Sequence, residues 1–274
     1  MSATTELAGL VHDLDELEYH ALPGLSSSGA KALLRSPAHY QWQRRNRVEK
    51  DAYDFGHVVH GIVLGTGLEV VVVDADDWRT KAAQEAKKAA HSAGKVPLLR
   101  KDAERAQRAA DAVTTHPVAG PLFRGGSAEV SAFWADAPTG VECRGRFDYL
   151  RTTGRPIIVD LKTTQNADPA RFGRAALDFG YDLQAAFYAD GYEHITGETP
   201  AFLHVLVETE PPHAVSVVQL DDDALYVGRL KARRAIEVYR DCTEADSWPA
   251  FDPTVIHPVS LPRWAVTDAE RNYL

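Results

Sequence analysis

The sequence predicts an α/β fold in which helices flank a central mixed, mainly antiparallel sheet, with a helical region at the N-terminus. Three strand-like runs follow one another between residues 127 and 164, and their separators, APTG and TTGRP, are typical of turns. Helical runs precede these strands, and a helix, two further strands and a long helix follow them. These three observations favour one sheet covered by helices.

The first part of the chain predicts mainly helices. Residues 24–46 are typical of two short helices whose serines can cap them, and residues 51–65 of a third with an apolar stripe. Residues 71–78 predict a short strand and turn. The Ala-rich segment 79–115 predicts two helices with a break near Gly94, and most of its charges are expected to face solvent.

After the three strands, residues 168–195 predict a helical stretch and residues 201–220 two strands with Pro-Pro at the bend. Residues 221–242 predict a helix with acidic residues first and basic ones later, the order that the helix dipole favours. The Pro-rich tail from Ser247 is expected to lie over the surface.

We therefore predict one domain over residues 1–274. Its parts are an N-terminal helical region at 1–120, a core at 121–240 and a C-terminal tail at 241–274. No internal repeat or low-complexity linker interrupts it.

Composition excludes several classes of protein. The net charge of −9 gives no overall attraction to nucleic acid or acidic membranes, although a local basic groove can still attract an anion. Two cysteines are too few for a disulfide framework or a four-cysteine zinc or iron–sulfur site. No run approaches ~18 apolar residues, and the acidic start does not have the pattern of a signal peptide, so we expect a cytoplasmic protein without a membrane span.

The apolar run Ile157–Val159, which predicts a buried strand, is followed directly by the charged residues Asp160 and Lys162. Asp160 and Lys162 share a face of the predicted strand because side chains two residues apart point the same way. If 141–150 and 156–162 form a hairpin, Asp148 can lie beside Asp160. Two adjacent carboxylates repel unless a cation lies between them, and oxygen ligands suit Mg²⁺ or Mn²⁺. Together with the lysine, such a site could perform metal-assisted phosphodiester hydrolysis.

Simpler interpretations stay open for each residue. Asp160 and Lys162 can form a structural salt bridge, and Asp148 can be a turn residue. His60 can be a core histidine or, with His57, part of a zinc site.

The alternating Arg144 and Arg146 can line a phosphate channel or face solvent. Glu142 and Glu208 can be outer acids of the site or surface residues, and the five tryptophans fit core and edge anchors better than a base-stacking platform.

The combination resembles the PD-(D/E)xK nuclease superfamily, whose core is that of restriction endonucleases. Asp148 followed by Asp160-Leu161-Lys162 matches the motif of its name. Gly56-x-x-x-His60 and Gln184-x-x-x-Tyr188 resemble motifs of the RecB-like branch, in the order which that branch uses. LSSSGAKALLRSPAHYQW resembles the N-terminal entry of phage exonucleases of the RecE type (exodeoxyribonuclease VIII-like). The likeness runs from about Leu25 to about Tyr239.

The resemblance implies roles for these residues. Asp148, Asp160 and the Leu161 carbonyl would bind Mg²⁺ or Mn²⁺, with His60 as the ligand from the N-terminal region. Lys162 would orient the attacking water and stabilise developing charge. Gln184 and Tyr188, one helical turn apart, would support the site or contact DNA; they can also simply pack and cap.

Glu129, in SAEVSAFW, resembles an acidic residue that precedes the core in some relatives.

The resemblance also implies a function. Such enzymes degrade linear duplex DNA from an end in phage-type recombination, form homo-oligomeric rings and often act beside a single-strand annealing protein. An endonuclease or repair nuclease with the same core, or a non-catalytic DNA-binding protein that kept the fold, are the alternatives.

Overall fold

The structure is a computed structural model that describes residues 8–46, 55–67 and 69–274. The first four residues of the helix predicted at 51–65 therefore lie outside the described residues.

Eleven helices occur in the described part of the chain. They are α1 (Glu16–Ala21), α2 (Ser27–Arg35), α3 (Pro37–Arg45), α4 (Phe55–Leu64), α5 (Lys81–Ser92), α6 (Arg100–Thr115), α7 (Ala119–Leu122), α8 (Pro169–Phe179), α9 (Tyr181–Thr196), α10 (Asp222–Glu244) and α11 (Arg263–Tyr273).

Eight strands in the same residues form two sheets. They are β1 (Gly9–Val11), β2 (Val70–Val73), β3 (Val96–Leu99), β4 (Gly126–Ala135), β5 (Glu142–Arg151), β6 (Ile157–Thr164), β7 (Ala201–Glu208) and β8 (Val215–Val218). The main sheet has the order β1-β4-β5-β6-β7-β8, and β2 and β3 form a separate parallel pair. Only β6 and β7 run parallel in the main sheet. The predicted α/β fold with a mainly antiparallel sheet is confirmed.

The two helices predicted at 24–46 form for the reasons that the sequence suggested. The Ser26 hydroxyl accepts a hydrogen bond from the Gly29 N–H at 3.2 Å and caps α2. The Ser36 hydroxyl caps α3 in the same way, and Pro37 occupies its first turn, where a missing N–H is harmless.

The centre of the sheet is buried on both faces. Ile158 lies in an apolar cluster with Phe147 and Leu183, whereas its neighbour Val159 lies in a second cluster with Val59 and Val205. Because successive residues of a strand point to opposite faces, the two clusters lie on opposite sides of the sheet. The first cluster is covered by α2, α9 and α10 and the second by α4 and α6.

The near-continuous apolar runs of β6 and β7 follow from this double burial. A parallel pair requires a crossover connection, and α8 and α9 supply it. Gly180 divides the helical stretch predicted at 168–195 into these two helices, and its φ of 66° is a conformation that glycine adopts without strain.

The structure adds elements that the sequence did not predict. β1 extends the main sheet from the N-terminal region, and β3 forms in the break predicted near Gly94. The tail is largely exposed, as expected, but ends in α11. Within the described residues, we find no helix with the length and apolarity needed to span a bilayer.

Two glycines provide a matched test of the close packing between α9 and α10. A Cβ on the buried Gly228 would lie 2.1 Å from the Asp182 carbonyl oxygen, whereas a Cβ on Gly173 in α8 would meet nothing within 4 Å. We expect Gly228→Ala to lower the free energy of unfolding by about 1–3 kcal/mol through overpacking. Gly173→Ala should raise it by about 0.5–1 kcal/mol through helix propensity.

Urea denaturation of both variants measures these effects. Equal changes in the two variants would contradict the close approach of the helices.

Candidate active site

A divergence of two neighbouring strands creates the candidate site. The ladder between β5 and β6 ends at the pair Tyr149–Val159, and Asp148 and Asp160 occupy the next position on each strand. There the Leu161 N–H donates a hydrogen bond to Asp148 Oδ2 at 2.8 Å. The carboxylate thus satisfies a backbone N–H that lies beyond the end of the β5–β6 ladder. The predicted hairpin forms, and the structure brings the two aspartates together where it opens.

The two oxygens of Asp160 have different surroundings. Lys162 Nζ donates to Oδ1 at 2.8 Å and Gln184 Nε2, from α9, donates to the same oxygen at 2.9 Å. Oδ2 is buried and has no hydrogen-bond partner among the described residues. Since an unpartnered buried carboxylate oxygen is costly, this atom is the strongest indication that the site binds a cation.

His60 lies on α4, which covers the face of the sheet opposite to α9. Its Nδ1 lies 3.7 Å from Asp148 Oδ2, beyond hydrogen-bonding distance but close enough for both groups to face one small ion. His57 is exposed, so the two histidines do not form the alternative zinc pair. No three His, Cys, Asp or Glu side chains within the described ranges are already arranged as a complete metal site.

The donor set nevertheless fits a hard divalent cation. Carboxylate oxygens of Asp148 and Asp160 with one imidazole nitrogen are groups that Mg²⁺ or Mn²⁺ accepts, the remaining positions being filled by carbonyl and water oxygens. The unpartnered Oδ2 of Asp160 is available for such an ion.

The pKa values in the site reflect burial of two neighbouring carboxylates, of which only Asp160 is paired with a lysine. Burial, with the charge of Asp160 adding to it, raises the pKa of Asp148 to about 6, although His60 and Lys162 act in the opposite direction. Burial also acts to raise the pKa of Asp160, but Lys162 and His204 outweigh it and lower that pKa. For Lys162, burial is outweighed by Asp160 and Asp148, which raise its pKa and keep it an ammonium.

Tyr188 packs beneath the acidic residues, between α2 and β5. It is buried, and a Cβ on Gly145 would lie 2.9 Å from its ring. The Ser27 hydroxyl of α2 donates to the Tyr188 hydroxyl at 3.4 Å. Gln184 therefore contacts the acidic centre directly, while Tyr188 packs between β5 and α2 and its burial raises its pKa to about 12.

Sequence reasoning missed His204, which lies opposite Asp160 on β7. It is fully buried, its Nε2 lies 4.0 Å from Asp160 Oδ2, and neither ring nitrogen has a hydrogen-bond partner among the described residues. Burial lowers its pKa to about 4, so the imidazole is neutral. A polar residue inside the apolar run FLHVLV was the signal that could have found it.

A further group missed by the sequence consists of two lysines and one ring. The ammonium groups of Lys31 and Lys162 lie 5.5 and 5.3 Å from the centroid of the Tyr181 ring. The three residues come from α2, β6 and the start of α9, so no local sequence pattern joins them.

Glu129 lies beside Asp148 at a distortion of the sheet. The β4–β5 register omits the Glu129–Asp148 position, and Glu129 has a φ of 52°, which is uncommon outside glycine. Residues two apart on a strand normally share a face, but Phe147 lies in the first apolar cluster and Tyr149 in the second. The alternation of side chains along β5 is therefore interrupted at Asp148. Such strained positions cluster at functional sites, and this one lies across the ladder from Asp148.

The neighbouring arginines are occupied by the N-terminal region. Arg146 donates from Nη2 to the Leu14 carbonyl at 3.0 Å and from Nε to Glu129 at 2.7 Å, and Arg144 donates to the Tyr19 carbonyl and lies over the Tyr19 ring. These contacts hold α1 against the sheet and match neither a free phosphate channel nor a solvated face.

The remaining acidic residues lie outside the centre. Glu142 is exposed, and Glu208 accepts a hydrogen bond from the Ala167 N–H at 3.0 Å in the loop before α8. A separate surface cavity of ≈ 320 Å³ is lined in part by Arg233 and Arg229, whose charges are paired with Asp136 and Asp190. Its arginines are thus neutralised, in contrast to the unbalanced charge at Asp148.

Comparisons with known proteins agree with this fold. A family described as a PDDEXK-like domain of unknown function (DUF3799) matches residues 26–251. Among solved structures, the chain superposes on a "Putative exonuclease" from Eubacterium rectale with a TM-score of 0.61 and 13% identity, covering 94% of this chain and 99% of that one. At this identity the likeness shows the fold alone.

A second structure, SSO0001, has a TM-score of 0.34 and 10% identity over 78% of this chain and 75% of that one, too low to support an argument. A search of curated proteins gave no match.

Because the pKa of Asp148 is raised, replacing its carboxylate by a neutral amide should stabilise the metal-free protein, and more so at high pH. With a pKa of about 6 in the folded chain against an ordinary value of 3.8, the aspartate destabilises the metal-free protein increasingly as pH rises from ~4 to ~6. We expect Asp148→Asn in EDTA to raise the free energy of unfolding at pH 8 by about 1–3 kcal/mol, and by clearly less at pH 5.

Urea denaturation at both pH values measures this difference, and Asp76→Asn, at an exposed position, should change little at either. A loss of stability in Asp148→Asn at pH 8 would show that Asp148 is not under electrostatic strain.

Proposed function

The chain belongs to the family of PDDEXK-like domains designated DUF3799, and from this premise we propose that it is a metal-dependent DNA exonuclease acting on linear duplex DNA. One observation supports the proposal above all: Asp148 and Asp160 converge where β5 and β6 part, and Asp160 Oδ2 is buried there without a partner. The family and the fold make a nuclease the best-supported class.

The residues that would hold the ion are Asp148, Asp160, His60 and the Leu161 carbonyl. Bound there, Mg²⁺ or Mn²⁺ would polarise a phosphoryl oxygen and lower the pKa of a water molecule. The two carboxylates supply the negative charge that attracts the cation, and Gln184 keeps Asp160 in a fixed orientation.

Lys162 acts as a charged hydrogen-bond donor in this proposal. Its raised pKa keeps the proton on Nζ, so it does not accept one from water. An ammonium beside the reacting phosphate stabilises the charge that develops on the phosphoryl oxygens, and it can orient the attacking water through a hydrogen bond. The reaction itself adds water across one P–O bond and leaves a phosphate monoester and an alcohol.

The substrate and partners rest on the resemblance described above. Linear duplex DNA, a homo-oligomeric assembly, a role in phage-type recombination and an annealing protein as partner stay predictions. The net charge of −9 does not oppose DNA binding, because the substrate needs positive potential only in the channel that it enters.

Digestion of labelled DNA tests the function directly. We expect Mg²⁺-dependent release of label from linear duplex, with EDTA abolishing it, and no digestion of the same DNA as a covalently closed circle. Labels at the 5′ or 3′ ends also report polarity. Rapid cutting of the closed circle would favour an endonuclease, and failure on every DNA form with Mg²⁺ or Mn²⁺ would reject a nuclease.

Two variants separate catalysis from metal binding. Lys162→Ala should lower the cleavage rate by at least about 10²-fold because it removes a charge-stabilising donor, yet Mg²⁺ should still raise its Tm. Asp160→Asn should lose both cleavage and the Mg²⁺-dependent rise in Tm, and Lys162→Arg serves as the charge-matched control.

Thermal unfolding with and without Mg²⁺, run beside the cleavage assay, gives both readouts. Retained hydrolysis in Lys162→Ala would remove the role assigned to this lysine.

A further inference from the structure

Lys31, on the side of α2 that faces α9, is a second cation at the candidate active site. Its ammonium lies 5.5 Å from the centroid of the Tyr181 ring, the ring that Lys162 also faces at 5.3 Å. The two lysines thus meet at one aromatic ring, although they are far apart in the sequence.

The Lys31 stem is fixed against the junction of α8 and α9. A Cβ on Gly180 would lie 3.2 Å from Lys31 Cε and 3.3 Å from its Cδ, so the stem lies directly on the Gly180 backbone. Gly180 has a φ of 66°, and the absence of a side chain there leaves the space that the lysine fills. The ammonium is therefore directed by packing toward Tyr181 and the acidic centre.

The two lysines differ in how their charge is balanced. Lys162 is paired with Asp160 at 2.8 Å. Lys31 has neither an ion pair nor a hydrogen bond with any other described residue; its ammonium faces the Tyr181 ring and its stem lies on the Gly180 backbone. The cation–π contact of about 0.5–2 kcal/mol leaves the Lys31 ammonium without a counter-ion from any described residue, so its charge is available to an anionic ligand.

The environment of Lys31 agrees with this imbalance. Burial, with the charge of Lys162 adding to it, lowers the pKa of Lys31 to about 8, while Asp160 and Asp182 act in the opposite direction. Asp182 itself is already paired with Lys231 at 2.5 Å. A phosphate bound beside Lys31 would balance the charge of its ammonium.

From this geometry we infer that Lys31 binds the reacting phosphodiester of the nucleic acid from the side opposite the carboxylates. The inference rests on the proposed function and extends it. Lys162, paired with Asp160, contributes mainly orientation and charge stabilisation, and Lys31 supplies the unneutralised positive charge that attracts and positions the phosphate.

Binding measurements test the inference without relying on turnover. In the Lys162→Ala background with Mg²⁺, duplex DNA binding is measured by fluorescence anisotropy over a range of salt concentrations. Adding Lys31→Met, which keeps an apolar stem of similar length, should raise Kd about 10-fold or more and reduce the slope of log K against log salt by about 1. Adding Lys31→Arg should preserve the slope.

Control variants separate a phosphate contact from a structural effect. Lys88→Met, at an exposed position on α5, changes net charge equally and should leave Kd within about 2-fold. Urea denaturation checks folding. An unchanged slope and Kd in Lys31→Met would overturn the inference, as would lower stability with no change in slope.

The source of the phosphate is tested with different DNA ends. Duplexes with 5′-phosphate, 3′-phosphate or hydroxyl ends should show the same loss in Lys31→Met, because the reacting phosphodiester is common to all of them. A loss confined to one terminal phosphate would overturn the assignment to the reacting group.

The controls also distinguish the two proposals. If the wild-type chain cleaves DNA and Lys31→Met binds it normally, only the inference about Lys31 fails. If the wild-type chain neither binds nor cleaves DNA, both fail.

Discussion

The structure of the candidate site depends on two aspartates that lie side by side where β5 and β6 separate. Asp148 accepts the Leu161 N–H in place of a ladder partner, and Asp160 holds Lys162 and Gln184 on one oxygen while the other stays unpartnered. Burial raises the pKa of Asp148, and repulsion from the neighbouring Asp160 carboxylate adds to the increase. The fold tolerates this repulsion because strands and helices on both faces hold the two groups in place, and a cation bound between them would relieve it.

Helices from opposite sides of the sheet complete the site. α4 brings His60 through the cluster that contains Val59, while α2 and α9 bring Lys31 and Gln184 through the cluster that contains Phe147. The N-terminal region is therefore part of the site as well as its cover. Lys31 and Lys162 meet at the Tyr181 ring, while the two carboxylates lie where β5 and β6 separate, an arrangement suited to binding a phosphate beside a cation.

Local patterns were sufficient to predict much of this arrangement. The i, i+2 spacing of Asp160 and Lys162 and the turn residues between β5 and β6 predicted the hairpin and the neighbouring carboxylates. The left-handed conformation of Glu129, the register that places His204 beside Asp160, and the meeting of Lys31 with Lys162 at Tyr181 were not predictable. Each depends on how distant segments pack, and neither periodicity nor residue spacing carries that information. β3 was missed because Gly94 and Pro97 were interpreted only as a break between two helices.

The claim that a divalent ion binds between Asp148 and Asp160 is tested most directly by anomalous X-ray scattering from crystals soaked in Mn²⁺. The account predicts one anomalous peak within coordination distance of an oxygen from each aspartate, on the side that His60 faces. Soaked crystals with both aspartates well ordered and no peak between them, or with Mn²⁺ bound only elsewhere, would contradict it.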